Sequence, residues 1–233
     1  MRASKLVTLF AWGKSRSSGS NDPVSVNIGI LGGTFDPVHL GHLRIAEAAV
    51  DYAGLEQVLF IPAGQPRLKQ TQPTATVNQR IEMVRLAIQG NPKFRVCGME
   101  ARRPGPTYSV DTLEELSTKL GPGTDLFFIL GMDVLRQLDQ WKDPERVLVL
   151  CQLLVLDRPG EADFDWPGFY NRFPEAESRV QIVASSPVDV SATELRGRSS
   201  TGELLMGGVP EVVAQYIQQH GLYLKEREGR AAS

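Results

Sequence analysis

Cysteine is scarce in this 233-residue chain, which has only Cys97 and Cys151. Neither lies in a CxxC or other metal-type spacing, and both sit in apolar runs. They read as reduced core thiols, which fits a reducing, cytoplasmic setting. Histidine is scarce too, with three residues, and no Cys, His or Glu cluster completes a zinc set. No run of 18 apolar residues occurs, which leaves no segment for a transmembrane helix. Charge of one sign is missing as well. Lys plus Arg number 25 against 27 Asp plus Glu, a net charge of -2. That balance gives no bulk attraction for nucleic acid or membrane, so an anionic ligand needs a local site. Two well-known phosphate loops are absent. There is no GxxxxGK[ST], and Gly29, Gly32 and Gly33 do not make GxGxxG.

What is present is ordinary in bulk and ordered in pattern. Hydrophobic residues make up 42% and charged residues 22%, as in a globular protein able to bury a full core. Residues 1–20 carry Arg2, Lys5, Lys14 and Arg16, five serines and no acid. A transit peptide has that composition, and so does a flexible tail, the reading taken here. After residue 25, strand and helix patterns alternate. Val26–Leu31 reads as a buried strand, and Val58–Ile61, Phe94–Cys97, Leu126–Leu130, Leu153–Leu156 and Val180–Val183 as further strands. Residues 41–52 read as a helix. Val77, Ile81, Val84 and Ile88 line one helical face, and Val110, Leu113, Leu116 and Leu120 another, with Ser109 as its expected cap. Asp143-Pro144 and Pro210 open two more helices. The expected fold is α/β: a Rossmann-like, doubly wound, mostly parallel sheet with helices on both faces. Residues 62–76, with three prolines, read as a mobile loop, and residues 159–178 as an irregular excursion.

In such sheets ligands bind where strands end. The first strand runs into Gly32-Gly33-Thr34-Phe35-Asp36-Pro37-Val38-His39-Leu40-Gly41-His42. Glycines let the backbone approach a ligand closely. A helix starting near Leu40 aims its N–H groups and dipole at the same place, and His39 and His42 add side-chain donors. Together these make a phosphate site. The histidine pair alone is also open to two other readings: one surface and one core residue, or half of a metal site in a zinc hydrolase. A second cluster, Val190-Ser191-Ala192-Thr193-Glu194-Leu195-Arg196, follows the last strand. Ser191 and Glu194 have capping-box spacing. The hydroxyls of Ser191 and Thr193 and the guanidinium of Arg196 then surround a helix start, which suits phosphate. A capped helix with a solvated arginine is the plainer alternative.

These two clusters resemble the GxFxPxHxxH and [IS]-S-x-T-x-[IL]-R motifs of the nucleotidyltransferase α/β phosphodiesterase superfamily. Pro106-Thr107-Tyr108-Ser109-Val110-Asp111-Thr112-Leu113 resembles the P-S-Y-T-x-D-T-L stretch of bacterial nicotinate-nucleotide adenylyltransferases. Gly131-Met132-Asp133 with Trp141, and Arg158-Pro159-Gly160, resemble further blocks of that family. The resemblance runs from about Ile28 to Leu224. It departs from the family at one position: where the family commonly has P-P-H-K, this chain has Pro66-Arg67-Leu68-Lys69. Leu68 stands in place of the histidine, whose phosphate contact is either lost or supplied by Arg67 or Lys69.

The resemblance implies that ATP and nicotinate mononucleotide react to give deamido-NAD and pyrophosphate, in NAD biosynthesis. It implies catalytic roles for His39, His42 and Arg196. ATP is expected on Gly32, Gly33, Thr34, Phe35, His39, His42, Lys69, Ser191, Thr193 and Arg196. The mononucleotide is expected on Thr107, Tyr108, Asp133, Trp141 and Arg158. Mg²⁺ is expected on the ATP phosphates, with no protein metal site. The implied organisation is a tail over 1–25, a nucleotidyltransferase domain over 26–225 and a tail over 226–233. A sister enzyme acting on nicotinamide mononucleotide or pantetheine phosphate is the near alternative, and a non-catalytic nucleotide sensor the distant one.

Overall fold

The computed structural model describes residues 25–66, 72–157, 164–184, 190–203 and 205–224. The expected tails thus lie outside the described residues, save Ser25 and its neighbours in the domain. Six strands form one sheet: β1 (Val26–Gly33), β2 (Gln57–Pro62), β3 (Phe94–Val96), β4 (Thr124–Gly131), β5 (Gln152–Asp157) and β6 (Val180–Ala184). Every pair is parallel, in the order β3-β2-β1-β4-β5-β6. The doubly wound expectation therefore holds, and the sheet is wholly parallel.

The connections are α1 (Leu40–Ala53), α2 (Val77–Ile88), α3 (Met99–Arg102), α4 (Ser109–Leu120) and α5 (Met132–Leu135). A 3₁₀ turn (Leu138–Gln140) and α6 (Pro144–Leu150) precede β5. Then come α7 (Trp166–Arg172), α8 (Ala176–Arg179), α9 (Ala192–Ser200) and α10 (Glu211–Gln219). The period of two along each strand divides its side chains between two cores. Val58 and Phe60 of β2, Phe127 and Ile129 of β4, and Leu154 and Leu156 of β5 face Ala46 of α1, Val84 of α2 and Ile217 of α10. Leu59 and Ile61, Leu126 and Phe128, and Leu153 and Val155 face Leu113 of α4 and Val147 of α6. Strands buried on both faces read as continuous apolar runs, as these do.

Several local expectations need correction. Ser109 is the first residue of α4, not its cap. Tyr108 takes the N-cap position in extended conformation, because Thr107 before it is tied to Gln65 by N–H···O at 3.2 Å. The excursion over 159–178 contains α7 and α8. Asp165 accepts from Gly168 N–H at 3.0 Å and Pro167 sits in the first turn, which starts a helix among mutually packed aromatics. Of the expected mobile loop, residues 67–71 lie outside the described residues. Its flanks are pinned: Pro62 belongs to β2, Pro66 bridges Thr107, and Thr76 caps α2. Asp143 and Ser191 are N-caps as expected, accepting from the N–H of Arg146 and Glu194.

Candidate active site

The strand order reverses between β1 and β4, and such a switch point is where open α/β sheets offer a crevice to ligands, outside the carboxyl ends of the strands. The chain leaves β1 through Gly33 into a tight loop. Phe35 has φ of 52°, left-handed for a bulky residue. Its ring folds back so that a Cβ on Gly33 would lie 3.1 Å from it, a tight fit that glycine relieves. The buried His39 then caps α1, with extended backbone. Its ring lies 3.7 Å, centroid to centroid, from that of His42, and His42 meets Phe35 edge-on at 4.9 Å. The His39 backbone N–H donates to His42 Nδ1 at 3.2 Å. In the neutral ring that leaves the proton on Nε2, so the cap sets the tautomer.

The second cluster arrives beside the first. Arg196 donates through Nη1 to the Asp36 carbonyl at 2.7 Å, and through Nη2 to Thr193 Oγ1 at 3.2 Å. A Cβ on Gly41 would lie 4.0 Å from the Val190 carbonyl, next to the α9 cap. The N-termini of α1 and α9 therefore share one place, with a guanidinium between them. Ser191 and Thr193 are exposed at that helix start. Both sequence clusters thus converge, and each helix end brings N–H groups and positive dipole to the crevice.

On the other side, Trp141 packs edge-on against Phe128 of β4 at 5.5 Å. Its neighbour Lys142 holds its ammonium 4.9 Å from the centroid of the Tyr108 ring and bonds Asp111 at 2.7 Å. Both aromatics are half-buried on the face of the second core. Asp133 lies exposed at the end of β4, its Oδ1 2.5 Å from where a Cβ on Gly131 would stand. Thr107 is buried and engages Gln65 through its N–H and hydroxyl. Beneath it sits buried Glu100, which accepts from Thr112 Oγ1 at 2.8 Å. Burial pushes the Glu100 carboxyl above the usual carboxylate range, and the Thr112 and Thr107 hydroxyls and Arg103 oppose this. Lys69 and Arg158 lie outside the described residues. Among the described residues no group of three or more His, Cys, Asp or Glu gathers, and no helix is long and apolar enough to cross a membrane.

Under the loop lies a buried network that no motif in the sequence announced. Arg80, 1% exposed, donates to the carbonyls of Thr34 (2.7 Å), Ala63 (2.8 Å), Gly64 (3.4 Å) and Ala75 (3.3 Å). Asp36 accepts from the N–H of Thr74 (2.8 Å) and Ala75 (3.0 Å) and from the Tyr223 hydroxyl (2.9 Å). An unpaired buried cation costs on the order of several kcal/mol. Hydrogen bonds to a charged group are worth about 1.5–3 kcal/mol each, so these four offset it. Burial lowers the Arg80 pKa, and the Asp36 charge opposes this. Burial and the facing Asp36 raise the Tyr223 phenol well above its usual value, so it remains a donor. One signal was visible: position 80 lies on the same helical face as Val77 and Val84, where a cation is out of place. For Tyr223 there was no local signal.

The cytidylyltransferase-like family model matches residues 30–198. A probable nicotinate-nucleotide adenylyltransferase of Dehalococcoides mccartyi (strain 195) is 42% identical over 203 residues, 87% of this chain and all of that protein. One from Thermomicrobium roseum is 41% identical over 196 residues, 84% of this chain and 91% of the other. Among solved structures, the Plasmodium falciparum nicotinic acid mononucleotide adenylyltransferase complexed with NaAD superposes with a TM-score of 0.70. That likeness covers 85% of this chain and 97% of the other at 18% identity, so it bears on the fold. The match to residues 30–198, and identity of this extent along nearly the whole length of the relatives, place this chain in the nicotinate-nucleotide adenylyltransferase family, within the cytidylyltransferase-like group.

Proposed function

We propose that this protein transfers the adenylyl group of ATP to nicotinate mononucleotide, giving deamido-NAD and pyrophosphate, by direct in-line attack with no covalent intermediate. The observation that carries the reading is the meeting of the α1 and α9 N-termini around His39, His42 and Arg196 at the end of β1. The nucleophile, a phosphate monoester, is already anionic near neutral pH, so no general base is needed. The work is alignment and stabilisation of charge on the α-phosphorus and the leaving pyrophosphate. His42 Nε2–H donates to the α-phosphate, with His39 beside it. The backbone from Gly32 to Phe35 lies along the nucleotide. Arg196, Ser191, Thr193 and Lys69 hold the β and γ groups.

Tyr108 and Trp141 hold the pyridine ring, Asp133 a ribose hydroxyl and Arg158 the mononucleotide phosphate. The Thr107 N–H is engaged with Gln65, so the nicotinate carboxylate is read from Tyr108 N–H and the α4 N-terminus, with Thr107 holding that segment. Mg²⁺ comes with ATP and neutralises β- and γ-phosphate charge. Asp36, the carboxylate of the loop, is taken up by Thr74, Ala75 and Tyr223. Imidazoles, hydroxyls and a guanidinium suit phosphate oxygens, so the ion keeps phosphate and water ligands. We place the reaction in the cytoplasm, consistent with the free thiols of Cys97 and Cys151.

The route is tested with ATP made chiral by sulfur at the α-phosphorus. One in-line displacement inverts phosphorus in the deamido-NAD product, the expected result. Retention requires an adenylyl-enzyme and overturns the mechanism.

A further inference from the structure

We propose that Arg80 is a positioning residue for the transfer step, acting with Tyr223 through the Asp36 loop to fix the spacing between the ATP loop and the acceptor segment. This rests on the adenylyl-transfer reading above. Arg80 does not touch substrate. It is 1% exposed and its nitrogens are spent on four backbone carbonyls. What matters is where those carbonyls lie. Thr34 belongs to the loop after β1, which carries His39 and His42. Ala63 and Gly64 lie just after β2. Ala75 precedes α2. One rigid guanidinium therefore ties three chain segments together, which the single ammonium of lysine cannot do.

The tie extends to both substrates. On the acceptor side, a side chain on Gly64 would collide with the Glu100 carbonyl, so the β2 exit packs directly on α3. Two residues further, Pro66 bridges Thr107, the residue before Tyr108. On the ATP side, the Ala75 peptide that accepts from Arg80 donates to Asp36, and the Asp36 carbonyl accepts from Arg196. Tyr223 closes the same carboxylate from the far end of the chain. A change at Arg80 thus shifts the α-phosphate donors relative to the acceptor ring. In-line attack is sensitive to such shifts, since a misplacement of about 1 Å costs up to ~10²-fold in rate.

The test compares wild-type protein, Arg80→Lys and Tyr223→Phe in steady-state turnover of ATP and nicotinate mononucleotide, with melting followed by circular dichroism. At a temperature where all are folded, Arg80→Lys is expected to lower kcat at least ~10-fold, with both KM values changing less than kcat. Tyr223→Phe loses one hydroxyl bond, and about fivefold in kcat is expected. The double variant should lose less than the product of the two, because both act on one loop. An Arg80→Lys protein with a lower Tm but wild-type kcat overturns the proposal, since that is what a merely structural arginine gives. If Arg80→Lys does not fold, unchanged turnover in folded Tyr223→Phe overturns it. No turnover by the wild type sinks the adenylyl-transfer reading, and this proposal with it. Turnover by the wild type that Arg80→Lys matches sinks this proposal alone.

Discussion

His42→Ala is expected to lower turnover by ~10²-fold or more, by analogy with removal of an oxyanion donor. The charge that His42 meets grows as the α-phosphorus becomes five-coordinate, so the loss falls on kcat and less on ATP binding. The geometry sharpens this expectation. His42 Nδ1 accepts from His39 N–H at the start of α1, which assigns the ring proton to Nε2. Asparagine at 42 keeps a donor but not its reach, so partial recovery is expected over alanine. Steady-state kinetics of a variant with an unchanged circular dichroism spectrum checks the claim. Near-normal kcat would remove His42 from the chemistry.

Arg196→Ala should weaken use of ATP by about 10²-fold in kcat/KM. One charge-assisted hydrogen bond to the triphosphate, at about 1.5–3 kcal/mol, sets that scale. Here the loss falls mainly on the KM for ATP, because the triphosphate tail is bound in ground state and transition state alike. The acceptor KM should change little. Arg196→Lys should recover only part, since a fork that spans Asp36 O and the ligand becomes a point charge. An ATP KM equal to that of the wild type would contradict this role.

The parts of this protein legible in its sequence are those with local causes. Strand and helix alternation could be read because the central parallel strands are buried on both faces and so form apolar runs, as in Leu126–Leu130. The two candidate clusters could be read because a cap and a donor lie within about ten residues of one another, with a glycine exit in the first. Cap placement at α4 could not be read, because the tie of Thr107 to Gln65, a contact from another segment, decides where extended chain ends. The α7 turn was hidden by its composition, although Asp165 and Pro167 carried the signal. The Arg80–Asp36–Tyr223 network is the hardest case. Its closing bond joins residues 187 apart, and no pattern of spacing reports such a contact. The proposed acceptor residues were legible only through resemblance, since Tyr108 and Trp141 look like ordinary core aromatics outside their motif.

The acceptor profile tests the central claim most directly. With ATP and Mg²⁺ present, the protein is offered nicotinate mononucleotide, nicotinamide mononucleotide and pantetheine phosphate, and kcat/KM is measured for each. On the proposed reading, backbone N–H groups about Tyr108 stabilise the nicotinate carboxylate through charge-assisted bonds. An amide sets an NH₂ group against one of those donors and leaves it unpaired, at a cost of about 1–3 kcal/mol. The account therefore predicts a preference for nicotinate over nicotinamide mononucleotide of at least ~10–100-fold, with pantetheine phosphate poorer than both. Equal efficiencies for the two mononucleotides, or a preference for pantetheine phosphate, would contradict it.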